Sequence, residues 1–534
     1  MDFATGLLIF GWLFVLVWVP MVVMSQRKVH PKALFTLFFA EMWERFSFYG
    51  MRAFLILYMT KVLFDQLAQN EADERAYGIY GAFNALLYAA PIVGGILADR
   101  IMGFRYAVIF GGVLMALGQL TLAANAHFTG HSESIFFVGL GLLAVGNGYF
   151  KPNISSFLGT FYDKDDPRKD RAFTIFYMGI NIGAFLAPIT CGYLYARVGE
   201  STGFLAAGIG MILGLLVFYR NMQNYADKGT PPVEGILNKK VFMGMSNIMV
   251  ILLGTIIFIP IFSFLINNEG ITDWILIIGG AGVIIYLLYT AFTWEDRVDG
   301  QRLLVFIFLF FFHMIFWTLF EQAGGSLNIL TDRYVNRLGI ETGQFQAVNP
   351  LYIILLAPVF SWMWGKLRSK KLEPRTPMKF FFGLIQMALG YFVMVIGVNS
   401  VLPMLEGVAP DAVPVAAQIP LVFLMVMYFF HTTGELSLSP VGLSVVTKLS
   451  PAKVVGFVMG SWFLSIAFAH KIAGALGQAI SHGEGANGEP VDAAHALGAF
   501  ADVYMTWGVY VVLACAALLL LLSPILKKWM HGIH

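Results

Sequence analysis

The sequence predicts an all-α polytopic membrane protein: two six-helix bundles, an inserted two-helix hairpin and one further N-terminal helix. Three observations predict it. Of 534 residues, 58% are hydrophobic and only 12% charged, where a soluble chain carries about 25% charged residues. Apolar runs of membrane-spanning length recur from end to end. The Lys and Arg residues between those runs alternate in density, as the positive-inside rule requires.

Residues 6–24 form an apolar run followed by Arg27 and Lys28. A cleaved signal peptide carries its positive charge before the apolar stretch, so an extra span or an interfacial helix is expected, the span being preferred. Core spans are read at 33–60, 76–98, 105–125, 134–160, 172–196 and 202–220, then 241–265 and 273–293, then 302–330, 347–366, 378–399, 418–447, 453–478 and 500–526. The expected organisation is a 1–32 N-terminal segment, a 33–220 bundle, a 221–301 linker with hairpin, and a 302–534 bundle with a short tail.

Charge tests the span count independently. With the segment before residue 33 taken as cytoplasmic, inside loops hold 25 of the 34 Lys and Arg, including Lys164, Arg168, Lys169 and Arg171 in one loop. Outside loops hold five: Lys61, Arg75, Arg197, Arg333 and Arg337. A wrong count would scramble this pattern. Both ends of the core are expected on the cytoplasmic side of a cell inner membrane. Net charge is only +2 and no basic block points to nucleic acid. Cys191 and Cys515 lie far apart, with no disulfide framework or metal spacing.

The four remaining basic residues, Arg45, Arg52, Lys151 and Lys471, lie inside spans. Glu41, Glu44, Arg45 and Arg52 occur at i, i+3, i+4 and i+11, on one helical face. A charge at the bilayer centre costs at least about 2.5–3.5 kcal/mol, so this stripe must line a polar path and pair. Glu321 and Glu435 are the carboxylates of the second half. A cavity bounded by both halves would be positive on one wall and negative on the other, which suits a zwitterion. Lys471, near an outer helix end, is expected to snorkel. His431 is expected to line the cavity or bond a neighbouring backbone. A metal site from His313, His431 and Glu435 has no recognised spacing.

The loop Gly94-Gly95-Ile96-Leu97-Ala98-Asp99-Arg100-x-x-Gly103-x-Arg105 resembles the loop signature of the major facilitator superfamily, with a degraded counterpart at Trp364–Arg368. Glu41-x-x-Glu44-Arg45-Phe46-x-x-Tyr49-Gly50, then Gly148-Tyr149-Phe150-Lys151-Pro152-Asn153, then Phe316-Trp317-x-x-Phe320-Glu321-Gln322, resembles the proton-coupled oligopeptide transporter family. The match runs from about residue 33 to the last span and includes the inserted hairpin of bacterial members.

That resemblance implies a major facilitator fold importing di- and tripeptides with protons, with no cofactor, no enzymatic reaction and a functional monomer. It implies that Arg52 and Lys151 hold the peptide carboxylate. It places the amino end on Glu435, Asn181 and Asn349, and shapes side-chain pockets with Tyr49, Tyr88, Trp317 and Trp462. Glu41, Glu44 and Arg45 form the implied proton-coupling cluster, with Glu321 a further protonation site. Some relatives have a functional histidine in the second span; this chain has Tyr80, Gly81 and Asn84 there, so carboxylates are expected to carry the proton. Rival readings are a nitrate or drug-anion carrier, a channel, and a polytopic membrane enzyme. No Gly-x-Ser-x-Gly, His-Glu-x-x-His or phosphate loop supports the enzyme.

Overall fold

With no water to satisfy the backbone inside a bilayer, each apolar run closes its own hydrogen bonds as helix. The computed structural model describes residues 2–163, 166–451, 454–483 and 492–533. Helix α1 (Phe3–Gln26) starts at Asp2, whose side chain accepts from the Thr5 N–H. It is long and apolar enough to span, with Phe10, Leu13, Leu16 and Val17 exposed. α2 (Lys32–Tyr58) carries the charged stripe. α3 (Gln69–Ala89) and α4 (Pro91–Leu97) run into α5 (Gly103–Phe128) through the glycine-rich loop. α6 (Glu133–Gly159), α7 (Lys169–Ala187), α8 (Tyr193–Arg197) and α9 (Glu200–Arg220) follow.

A linker with a two-stranded ribbon, β1 (Lys240–Phe242) against β2 (Met245–Ser246), leads to the hairpin of α10 (Asn247–Asn267) and α11 (Glu269–Thr293). α12 (Arg297–Phe320) ends at Glu321 in a 3₁₀ turn that leads to α13 (Ser326–Tyr334). The rest is α14 (Val348–Ser369), α15 (Thr376–Val401), α16 (Leu421–Leu449), α17 (Val455–Gly483), α18 (Ala493–Val503) and α19 (Val512–Trp529). Among the described residues, thirteen helical stretches are long and apolar enough to cross a membrane, and Gln69–Phe128 contains two of the expected spans. α2 is not one of them, because Glu41, Glu44 and Arg45 fall in its middle.

The chain divides into two units. The first holds Met1–Phe64, Leu86–Asn268 and Gly339–Pro350; the second holds Asp65–Ala85, Glu269–Leu338 and Leu351–His534. The division falls inside α3 and at the tip of the inserted hairpin, so α10 belongs to the first unit and α11 to the second.

Helices in lipid associate by close packing of small residues, and both units show it. In the first, a Cβ on Gly111 would lie 2.5 Å from the Gly146 carbonyl oxygen, and one on Gly118 2.9 Å from that of Gly139. These pairs draw α5 against α6. A Cβ on Gly183 would sit 2.2 Å from the Met42 carbonyl, which brings α7 onto α2. Arg105, from the loop signature, donates to the carbonyls of Lys228 and Ala226. It thereby ties the linker to the start of α5. α10 joins this unit through a Tyr149–Thr255 hydroxyl contact of 3.0 Å.

In the second unit, Gly383 and Gly434 let α15 meet α16, and Gly81 meets Gly474 where the first part of α3 crosses α17. Arg333 makes a two-pronged bond to the buried Asp73, at 2.5 and 2.7 Å. α11 is held by Lys471, whose Nζ lies 3.1 Å from Glu269 and 3.0 Å from Asp273. This corrects the expectation for Lys471: its side chain is 11% exposed and ion-paired rather than snorkelling. A sequence carries no sign that two acids on the inserted hairpin will face it.

Candidate functional site

The first unit builds its polar wall on α2. A single guanidinium holds two carboxylates there: Arg45 Nε is 2.9 Å from Glu41 Oε1 and 2.7 Å from Glu44 Oε2. Glu44 is fully buried, and Glu41 and Arg45 are nearly so. The i, i+4 spacing lets Glu41 and Arg45 bond along one face. Glycines let the neighbouring helices pack closely around the cluster. Phe46 packs on Gly210, the Gly183 contact lies next to Arg45, and Gly50 meets Cys191.

Seven residues along α2 from Arg45, Arg52 reaches the same wall, with its guanidinium carbon 5.7 Å from the Tyr49 ring centroid. Lys151 comes from α6 and places Nζ 3.9 Å from the Tyr88 ring centroid, a cation–π distance. Pro152 follows it and cannot donate to the Gly148 carbonyl. Asn153 Nδ2 donates to the carbonyls of Tyr149 and Gly94, at 2.7 and 3.3 Å, and so ties α6 to α4 beside Lys151. Lys151 also acts electrostatically on Glu44. Asn181 donates one N–H to the Tyr177 carbonyl at 3.0 Å, which leaves its side-chain oxygen as an acceptor. Asn349 lies in Gly339–Pro350, and so in this first unit.

The second unit carries Trp317, Glu321, Glu435 and Trp462. Glu321 sits where α12 breaks into its 3₁₀ turn and is 3% exposed. The break is stabilised by Gln322, whose Nε2 donates to the Ala473 carbonyl at 3.0 Å while its oxygen accepts from Ser326. His470 of α17 places Nε2 3.8 Å from Glu321 Oε1, and both side chains are buried. Glu435 is buried on α16. Trp462 is buried on α17 with its ring centroid 4.0 Å from that of His313, and Trp317 is half-buried on α12.

Sequence reasoning missed two of these relationships. His470 follows an unremarkable apolar stretch, and only the crossing of α17 beside the α12 break brings it to Glu321. His313 precedes Trp317 by one helical turn, but its partner Ser465 is 152 residues away. The His431 ring lies 4.9 Å from that of Tyr391 and packs against Gly390. Among the described residues, no group of three or more His, Cys, Asp or Glu could hold a metal ion. Both nitrogens of His313 are engaged, Nδ1 with Ser465 and Nε2 with Trp317.

A family model described as the POT family matches residues 105–489. The peptide transporter YePEPT of Yersinia enterocolitica is 36% identical over 93% of this chain and 94% of its own. Dipeptide and tripeptide permease A of Salmonella typhimurium is 32% identical over 93% of each chain. A crystal structure of the peptide transporter POT in complex with sulfate superposes with a TM-score of 0.76 at 33% identity, covering 94% of this chain and 96% of that one.

Proposed function

The chain belongs to the POT family, and from that premise we propose that it is a proton-coupled symporter importing di- and tripeptides. The observation that carries the reading is a complementary division of charge. The first unit presents Arg52 and Lys151 over tyrosine faces, with Glu41 and Glu44 already held by Arg45. The second unit buries the carboxylates Glu321 and Glu435. A short peptide is a zwitterion with one charge for each set.

In this reading Arg52 and Lys151 take the peptide carboxylate. Glu435 takes the amino end, with the side-chain amides of Asn181 and Asn349. Tyr49, Tyr88, Trp317 and Trp462 bound the side-chain pockets. Glu41, Glu44 and Arg45 form the coupling cluster, and Glu321 takes up the transported proton with His470 beside it to share it. A carboxylate's proton affinity rises with burial and falls beside a cation, so a change of access to one side loads or unloads Glu321. Glu321 takes up the proton on one side, Arg52 and Lys151 take the peptide carboxylate, and deprotonation on the other side accompanies release of the peptide. The membrane potential adds about 2.3 kcal/mol per charge per 100 mV. The protein works as a monomer in a cell inner membrane, with both ends of the twelve-helix core cytoplasmic.

The test is uptake of labelled dialanine into proteoliposomes with and without an inward proton gradient. Concentrative uptake that collapses with a proton ionophore is the expected result. Uptake indifferent to the gradient would leave a peptide carrier without coupling, and no uptake of any di- or tripeptide would refute the reading. Glu321→Gln is expected to abolish uphill accumulation while leaving peptide exchange.

A further inference from the structure

Three side chains and one backbone carbonyl of the second unit form a one-way chain of hydrogen bonds. Trp317 Nε1 lies 2.8 Å from His313 Nε2, His313 Nδ1 lies 2.7 Å from Ser465 Oγ, and Ser465 Oγ lies 2.7 Å from the Trp462 carbonyl oxygen. The direction is forced by the chemistry of its ends. An indole N–H only donates, so His313 Nε2 must accept. A carbonyl only accepts, so the Ser465 hydroxyl gives its hydrogen to Trp462. Ser465 Oγ is then the acceptor for a hydrogen on His313 Nδ1. Each group has one role, and a proton added at Nε2 would point at the indole N–H. The imidazole is therefore neutral and locked in one tautomer. It is 4% exposed, Ser465 is fully buried, and the His313 ring also lies against Trp462. One side chain thus orients two tryptophans on different helices.

We infer that His313 is a positioning residue that sets peptide side-chain selectivity by fixing the planes of Trp317 and Trp462. This rests on the peptide-transport reading and on those two indoles bounding a side-chain pocket. Trp462 is buried, whereas Trp317 is half-buried. The more accessible of the two rings is thus the one held by the His313 Nε2 bond and by ring contacts with Phe316 and Phe320. A neutral imidazole gives that anchor without placing a titrating charge on the pocket wall.

The experiment is His313→Phe, with Ser465→Ala as a second variant should the first fail to fold, in proteoliposomes. Competition against labelled dialanine gives relative affinities for dialanine and for diphenylalanine, and ultraviolet resonance Raman reads the indole N–H hydrogen bonds. The expected result is a change of about tenfold in the ratio of the two affinities, unchanged uphill accumulation of dialanine, and loss of one hydrogen-bonded indole signal in His313→Phe. Equal loss of affinity for both peptides would overturn the inference, as would loss of uphill accumulation with exchange intact, which would make His313 a proton carrier. Should the unsubstituted protein carry no peptide, the transport reading fails. The Raman signal still judges the His313–Trp317 bond, and an unchanged spectrum in the variant would refute the geometry.

Discussion

The polar wall on α2 and the polar wall on α12 and α17 solve one problem in two ways. Each places polar groups inside a membrane protein, where an unpaired group is costly. α2 does it with formal charge at short range: Glu41, Glu44 and Arg45 come from two turns of one helix and bond at 2.7–2.9 Å. α12 and α17 do it around His313 with neutral groups at long range, Trp317, His313, Ser465 and a backbone carbonyl. An ion cluster is strong and sensitive to loss of any member, because the survivor is a buried charge. A neutral chain is weaker per bond but gives each donor a single direction. The first arrangement suits charge exchange, and the second suits holding a surface still.

The largest expected effect that would break this comparison is Arg45→Gln. It leaves Glu41 and Glu44 buried without their cation, which costs about 3–5 kcal/mol for a broken buried pair. Thermal unfolding in detergent should fall by several degrees, and proton-driven uptake should be lost. A variant as stable as the parent would show that one or both carboxylates were already protonated. Arg45→Lys sharpens the same point. An ammonium lacks the guanidinium's planar fork, so it should recover part of the lost stability.

Next in size is Ser465→Ala, which takes the acceptor from His313 Nδ1–H in a buried site and costs about 1–3 kcal/mol. Its melting temperature should fall less than that of Arg45→Gln. The reverse order would mean the neutral chain carries more of the fold than the ion cluster. Lys471→Met probes an intermediate case, a partly exposed cation holding Glu269 and Asp273 of the hairpin. On the order of 1–2 kcal/mol is expected, read as faster proteolysis near residues 267–273.

The smallest effect lies outside the membrane. Arg368 bonds Glu373 at 2.7 Å and Lys379 does so at 2.6 Å, which pulls the Glu373 carboxyl from 4.5 down to about 2. A depressed carboxylate contributes stability that is fully present above about pH 4.5 and is lost as pH falls through about 2. Arg368 is 74% exposed, so screening holds the contribution to under about 1 kcal/mol. Glu373→Gln should lower the melting temperature slightly at pH 7, where the contribution of under about 1 kcal/mol is fully present, and flatten its fall between pH 4.5 and about 2. A difference at pH 7 larger than that seen for Ser465→Ala would reverse the ranking of exposed and buried polar contacts.

Much of this was legible before any fold was seen, for a local reason. Spans follow from hydropathy, and Glu41, Glu44 and Arg45 declare their pairing because helix geometry alone places them together. The second wall was legible only as isolated residues. Glu321 stood out as a charge in an apolar run, but His470 beside it lies on another helix, 149 positions later in the numbering. Reading Tyr80, Gly81 and Asn84 in the second span left the proton to carboxylates alone, yet α17 sets an imidazole 3.8 Å from Glu321.

By itself, then, the sequence determined the membrane class, the order of the helices, the ion cluster of α2 and the kinship carried by its motifs. All of these depend on hydrophobicity and on contacts within a few turns of one helix. Only the tertiary structure decided that Lys471 anchors the hairpin, that Asn349 joins the first unit, and that His313 links two tryptophans. Those outcomes depend on which helices cross and where glycines let them touch, and a crossing is set by side-chain volumes summed over many residues. No single segment of the chain contains that information.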